Sequence, residues 1–135
     1  MRYILLVLMV INLNLSANLV NDGLNEYNKG NKLKAKEIFS KACDGGHNSG
    51  CYSLGILYAN GDGVRQDKVK AIKLFSKACD GGHNDSCYSL GFLYSNGYGV
   101  KKDKVKGKEF FRKACDLGDN KSCTNYKILN EQGIK

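Results

Sequence analysis

The sequence predicts an all-α solenoid, a stack of helix pairs that cannot each bury an apolar face alone and must lean on one another. The first observation is an internal repeat. CDGGHNDSCYSLGFLYSNGYGV at Cys79 echoes CDGGHNSGCYSLGILYANGDGV at Cys43 and, in worn form, CDLGDNKSCTNYKIL at Cys115, so the copies advance by 36 residues. The second is helical periodicity ahead of each copy: Ala35, Ile38, Phe39 and Ala42 fall at i, i+3, i+4 and i+7, one face of an amphipathic helix. The third is the cysteine pattern. Every cysteine belongs to a Cys-x7-Cys pair that recurs with the repeat.

Taken in order, residues 1–17 carry Arg2, an apolar run over residues 4–11, and the small residues Ser16 and Ala17. That order predicts a secretory signal peptide cleaved after Ala17. Asn12 and Asn14 interrupt the run well short of the ~20 apolar residues a membrane span needs. The mature chain is expected to start at Asn18, in the periplasm or outside the cell, with no transmembrane segment, and to form one repeat domain over residues 18–135. An oxidising compartment and an even cysteine count favour disulfides.

The units are expected at about 18–47, 48–83 and 84–119, each an A helix followed by a B helix, with a capping helix over 120–132. The first A helix, carrying Leu19, Val20, Leu24 and Tyr27, is degenerate, as a terminal repeat with one face in water should be. The B helices repeat one stripe as Ala71, Leu74, Phe75 and Ala78, then Gly107, Phe110, Phe111 and Ala114. Asp67 and Asp103 are placed to cap them, and the lysines that follow are expected on an outer, solvated surface. Glycines in the B-to-A turns end each B helix, and Asn48, Asn84 and Asn120 are expected to cap the next A helix. Gly55 and Gly91 inside A helices cost roughly 1 kcal/mol each against alanine. Close approach by the Ala42 or Ala78 side of a B helix is the expected compensation. The glycine-rich A-to-B loops, NGDGVRQD and NGYGVKKD, are explained by turn chemistry and follow no strand, so they predict no nucleotide site.

The pattern LGxLYxNGxGVxxDxxKAxxxFxKACDxGxxxxC resembles the Sel1-like repeat, a relative of the tetratricopeptide repeat. Its Cys-x7-Cys variant resembles the Helicobacter cysteine-rich protein family. The likeness covers nearly all of the mature chain. It implies a right-handed superhelix of antiparallel helix pairs, each stapled by a disulfide, in a secreted or periplasmic protein. It also implies a penicillin-binding protein or a weak β-lactamase or, for Sel1-like proteins more broadly, an adaptor role. The third unit departs from the pattern at Gly107, where alanine is usual, and at TNYKIL, both expected of a C-terminal cap. Geometry supports the pairing too, because the end of a B helix and the start of the next A helix meet across a tight turn. Cys43 with Cys51, Cys79 with Cys87 and Cys115 with Cys123 is the pairing in which every loop is short and every unit equivalent, each bridge contributing ~2–3 kcal/mol.

Chemistry is less legible. The chain lacks Ser-x-x-Lys, Ser-Asp-Asn and Lys-Thr-Gly, the elements of a serine β-lactamase. His47 and His83 stand one repeat apart, ~10 Å or more in a helical stack, too far to share a metal ion. No cofactor or metal is expected, and no catalytic residue can be named. The A helices leave an i, i+4 pair per unit outside the core stripe: Tyr52 and Ile56, Tyr88 and Phe92, Thr124 and Ile128. That ladder predicts a concave groove for a peptide, cell-wall fragment or partner protein, with β-lactams as the alternative ligand. A net charge of +8 suits acidic surfaces, but the lysines are not interleaved with stacking aromatics, and nucleic acid is not expected.

Overall fold

The computed structural model describes the backbone of residues 1–135 and the side chains of residues 1–11 and 18–135. The described residues form seven α-helices: α1 (Arg2–Asn28), α2 (Lys32–Asp44), α3 (Asn48–Asn60), α4 (Lys68–Asp80), α5 (Asn84–Asn96), α6 (Lys104–Asp116) and α7 (Asn120–Glu131). Each helix packs on the next in sequence, which makes an α/α solenoid. α1 runs on from the expected first A helix through the apolar N-terminal residues. Side chains 4–11 are at least half exposed there. Asn12, Asn14, Ser16 and Ala17, on which the cleavage expectation rests, lie outside the described side chains. Among the described residues no helix is long and apolar enough to cross a membrane.

The caps follow side-chain chemistry, with one shift from expectation. Asp67 and Asp103 each accept from the backbone N–H three residues on, at 2.9 Å. The A helices are capped one residue earlier than the asparagines. His83 Nδ1 accepts from Ser86 N at 3.3 Å, and Asp119 accepts from Ser122 N at 2.8 Å. Asn48 instead donates to the Gly81 carbonyl of the following turn at 2.8 Å, so it links units. Of the paired turn glycines only the second is left-handed, with φ of 90° at Gly46, 93° at Gly82 and 99° at Gly118. The first sits near φ −75°, which any residue adopts, and this is why Leu117 can stand there in the third turn.

The helix pairs are held by a phenylalanine seated on a glycine. A Cβ at Gly55 would lie 2.6 Å from the Phe75 ring, and one at Gly91 would lie 2.6 Å from Phe111. Gly23 takes Phe39 in the same way. These rings, not Ala42 or Ala78, occupy the space left by the A-helix glycines; Ala42 meets Gly50 instead. A flat ring needs a patch without a side chain, whereas an alanine methyl does not reach that far across the pair. Phe39, Phe75 and Phe111 are 2–3% exposed, and they form the core with Ala35, Leu57, Ala71 and Leu90.

Bridges join Cys43 to Cys51, Cys79 to Cys87 and Cys115 to Cys123, with Cα atoms 4.4, 4.8 and 4.6 Å apart. Each runs from a B helix to the following A helix. The staples therefore lie between units, and the glycine–phenylalanine contacts hold each pair together.

One lysine departs from the expected outer surface. Lys108 occupies the position of the buried Ile72 and is itself only 9% exposed. Its ammonium donates to Asn130 Oδ1 at 2.9 Å and to the Ile134 carbonyl at 2.6 Å. In this unit the Asn130 side chain and the Ile134 carbonyl supply oxygens to the ammonium where the preceding unit carries the apolar Ile72.

Candidate binding face

The three A-helix pairs become progressively more exposed along the stack. Tyr52 is half-buried, its ring 5.7 Å from Phe75 and 4.8 Å from His83, the N-cap of the next A helix. Tyr88 repeats the first contact, 5.8 Å from Phe111. Phe92 is 44% exposed and turns to Tyr98, 5.7 Å away. At the end of the stack Ile128 is 45% exposed, and the exposed Thr124 donates to the Asn120 carbonyl at 3.2 Å. These residues share one side of successive A helices, but they do not close into a single groove.

A pocket of about 220 Å³ forms between α1, α2 and α3, lined by Leu24, Tyr27, Phe39, Tyr52, Ser53, Ile56 and Leu57. Tyr52 and Ile56 are brought together there. Burial raises the Tyr52 hydroxyl above its ordinary range, and Asp85 adds to the rise while Ser89 opposes it. Leu24 was not in the ladder read from the sequence. Its signal was Gly23, which makes Val20 and Leu24 the counterparts of Tyr52 and Ile56, but the shortened first unit breaks the spacing of 36.

The histidines are structural at their own turns. His47 is an N-cap without a side-chain hydrogen bond. His83 lies 3.0 Å from Ser86 Oγ as well as capping α5, and burial lowers its pKa, with Asp85 pulling weakly the other way. Protonation would place a hydrogen on the nitrogen that accepts from Ser86 N. The folded value is below the ordinary 6.5, so between the two the unfolded chain binds more protons than the folded one. Stability should therefore be retained above that window and lost as pH falls through it. We expect thermal melting to fall between about pH 7 and pH 5 and His83→Asn, a non-titrating cap, to flatten part of that fall. Parallel melting curves for both proteins would contradict this role. Among the described residues no group of three or more His, Cys, Asp or Glu side chains could hold a metal ion.

The Sel1 repeat model matches residues 14–47, 48–83 and 84–119. Among curated proteins the chain is similar to Helicobacter pylori HcpC, 46% identical over 36% of this chain and 17% of that protein, and to HcpE, 49% identical over 33% and 13%. Both are named as candidate β-lactamases. The chain thus spans less than a fifth of the curated relatives it matches. Among solved structures it resembles Helicobacter pylori cysteine rich protein B, with a TM-score of 0.67 and 39% identity, covering 69% of this chain and 70% of that one. A Sel1 repeat protein from Oxalobacter formigenes matches with a TM-score of 0.80 and 27% identity over 87% of this chain and 50% of that one.

Proposed function

The chain belongs to the Sel1 repeat family, in its Helicobacter cysteine-rich branch, and from that premise we propose that it is an exported protein-binding module whose A-helix face takes an extended peptide segment. Sel1 repeats mediate protein–protein binding. The observation that carries the reading is the 220 Å³ pocket at Tyr52 and Ile56, with Tyr88 and Phe92 following on the same side of the next A helix as a separate contact point. That volume is below the ~300–1,000 Å³ usual for small-molecule sites. It suits one anchoring side chain of a ligand whose remaining contacts run along the ladder. An apolar or aromatic anchor is expected, because Leu24, Phe39, Ile56 and Leu57 supply most of the walls. Peptide ends, wall peptides and exposed segments of partner proteins all present such groups. Three bridged cysteine pairs and the cysteine-rich relatives support a periplasmic or extracellular location.

Selection from a displayed peptide library with the oxidised chain should yield ligands bearing that anchor. Tyr52→Ser and Ile56→Ser should each weaken them about tenfold or more, as loss of a central anchor contact does. Phe92→Ser should weaken longer ligands only. Ligands indifferent to all three changes would place binding elsewhere. The naming of HcpC and HcpE favours a second reading, β-lactam hydrolysis. Intact mass spectrometry of the chain after incubation with penicillin, produced in a host without its own β-lactamase, separates the two: an acyl adduct or opened penicillin rising with dose supports the enzyme.

A further inference from the structure

The first turns of the B helices carry a second periodic feature, on the edge where the A-to-B loops lie. Leu33, Val69 and Val105 recur at 36-residue spacing and are 62, 58 and 47% exposed. Each stands between two lysines, in the sequences Lys32-Leu33-Lys34, Lys68-Val69-Lys70 and Lys104-Val105-Lys106. The loops make these turns neighbours along one edge. A Cβ at Gly63 would touch Lys32 Cβ at 2.5 Å, and one at Gly99 would touch Lys68 Cβ at 2.6 Å, so each loop rests on the first turn of the preceding B helix. A cleft of about 620 Å³ holding Leu33 and another of about 740 Å³ holding Val69 meet at Gly63.

The edge keeps its positive charge. Lys32 pairs with Asp62 and Lys34 with Glu26 in the first unit. From there on the cations outrun the carboxylates: among the described residues Lys36, Arg65, Lys68 and Lys70 form no ion pair, and the exposed Asp67 and Asp103 each spend one carboxylate oxygen on a helix cap. Lys70 and Lys106 lie over the Tyr58 and Tyr94 rings, each 4.3 Å from the ring centre, which leaves their ammonium groups at the edge.

We propose that this edge docks on an anionic lipid surface, with Leu33, Val69 and Val105 entering the boundary between headgroups and acyl chains and the flanking lysines meeting lipid phosphates. A single exposed valine needs no explanation. Three aliphatic residues at one register position, each bracketed by long cationic side chains whose stems can lie along an apolar layer, match the chemistry of an interfacial site. A soluble acidic polymer would engage the cations alone and gives no role to the aliphatic row. The attraction falls with salt, since it acts over a Debye length, whereas the aliphatic contact does not.

The chain has no tryptophan, so Val69→Trp makes this edge its own reporter, independent of any contact by the apolar N-terminus. With vesicles containing phosphatidylglycerol, its emission should move to shorter wavelength and be quenched by brominated acyl chains. With phosphatidylcholine alone neither change should occur. Ser49→Trp, at the opposite edge in the first turn of α3, should stay in water with both. Combining Val69→Trp with Lys68→Gln, Lys70→Gln, Lys104→Gln and Lys106→Gln should abolish the response. The proposal is overturned by an unshifted Val69→Trp spectrum on anionic vesicles, by an equal shift at Ser49→Trp, or by retention of heparin in the absence of any lipid response.

Discussion

Replacing Cys79 and Cys87 together by serine is expected to cost about 2.5 kcal/mol, the loop-closure term for a bridge across so short a segment. In a domain of this size that lowers the melting temperature by roughly 10 °C. The cost falls on the junction between α4 and α5, where no phenylalanine sits on a glycine to hold the helices. Reducing all three bridges removes an amount comparable to the whole stability of an ordinary domain, ~5–15 kcal/mol, and should leave the chain largely unfolded. The order of reduction is also fixed by burial. Cys43, Cys51, Cys79 and Cys87 are at most 2% exposed, whereas Cys115 and Cys123 are half-buried. A mild thiol reductant should open the third bridge first, as read by alkylation and mass spectrometry. Melting that is indifferent to the Cys79 and Cys87 replacements would remove the staples from the account of stability.

Gly107→Ala is expected to destabilise the fold by about 1–2 kcal/mol, an overpacking cost partly offset by alanine's better helix propensity. A methyl there would run into Ser95 Oγ and would lie 2.9 Å from the Gly91 carbonyl and the Ser95 nitrogen, so α6 would have to move off α5. The preceding unit solves the same contact with Ala71 against Ala59, and here the volume has passed from one partner to the other. Ser95 Oγ is buried with no hydrogen-bond partner, so Ser95→Ala alone should be neutral or stabilising. In the double variant it should recover about half of the loss or more, a coupling measurable by denaturant unfolding of all four proteins. Additive effects would mean that the two positions do not share the space.

These two residues illustrate what could be read in advance. The stack, its period and the B-helix stripe were legible because burial of one helix face leaves a fixed spacing in the chain. Gly107 was read as wear at a terminal repeat, but its cause is a serine twelve positions earlier on the facing helix. Pattern comparison within one repeat cannot see such a compensation. Gly55 and Gly91 were legible as sites of close approach, whereas the approaching group was not: which of several apolar side chains fills a gap depends on helix rotation. The caps were misplaced by one residue because asparagine is a strong intrinsic cap, yet His83 and Asp119 occupy the extended position from which a side chain reaches back to the helix. On the binding face, the Tyr52 and Ile56 pair was visible from its spacing, but the pocket needed Leu24, supplied by a first unit that breaks the period.

The central claim is that a stapled A-helix face binds an extended ligand, and its most direct test is an amide NMR titration of the oxidised chain with a selected peptide. The account predicts shifts at Leu24, Tyr52 and Ile56, continuing to Tyr88 and Phe92 with longer peptides, and their loss when the bridges are reduced. Shifts confined to the A-to-B loop edge, or a peptide bound equally well by the reduced chain, would contradict it.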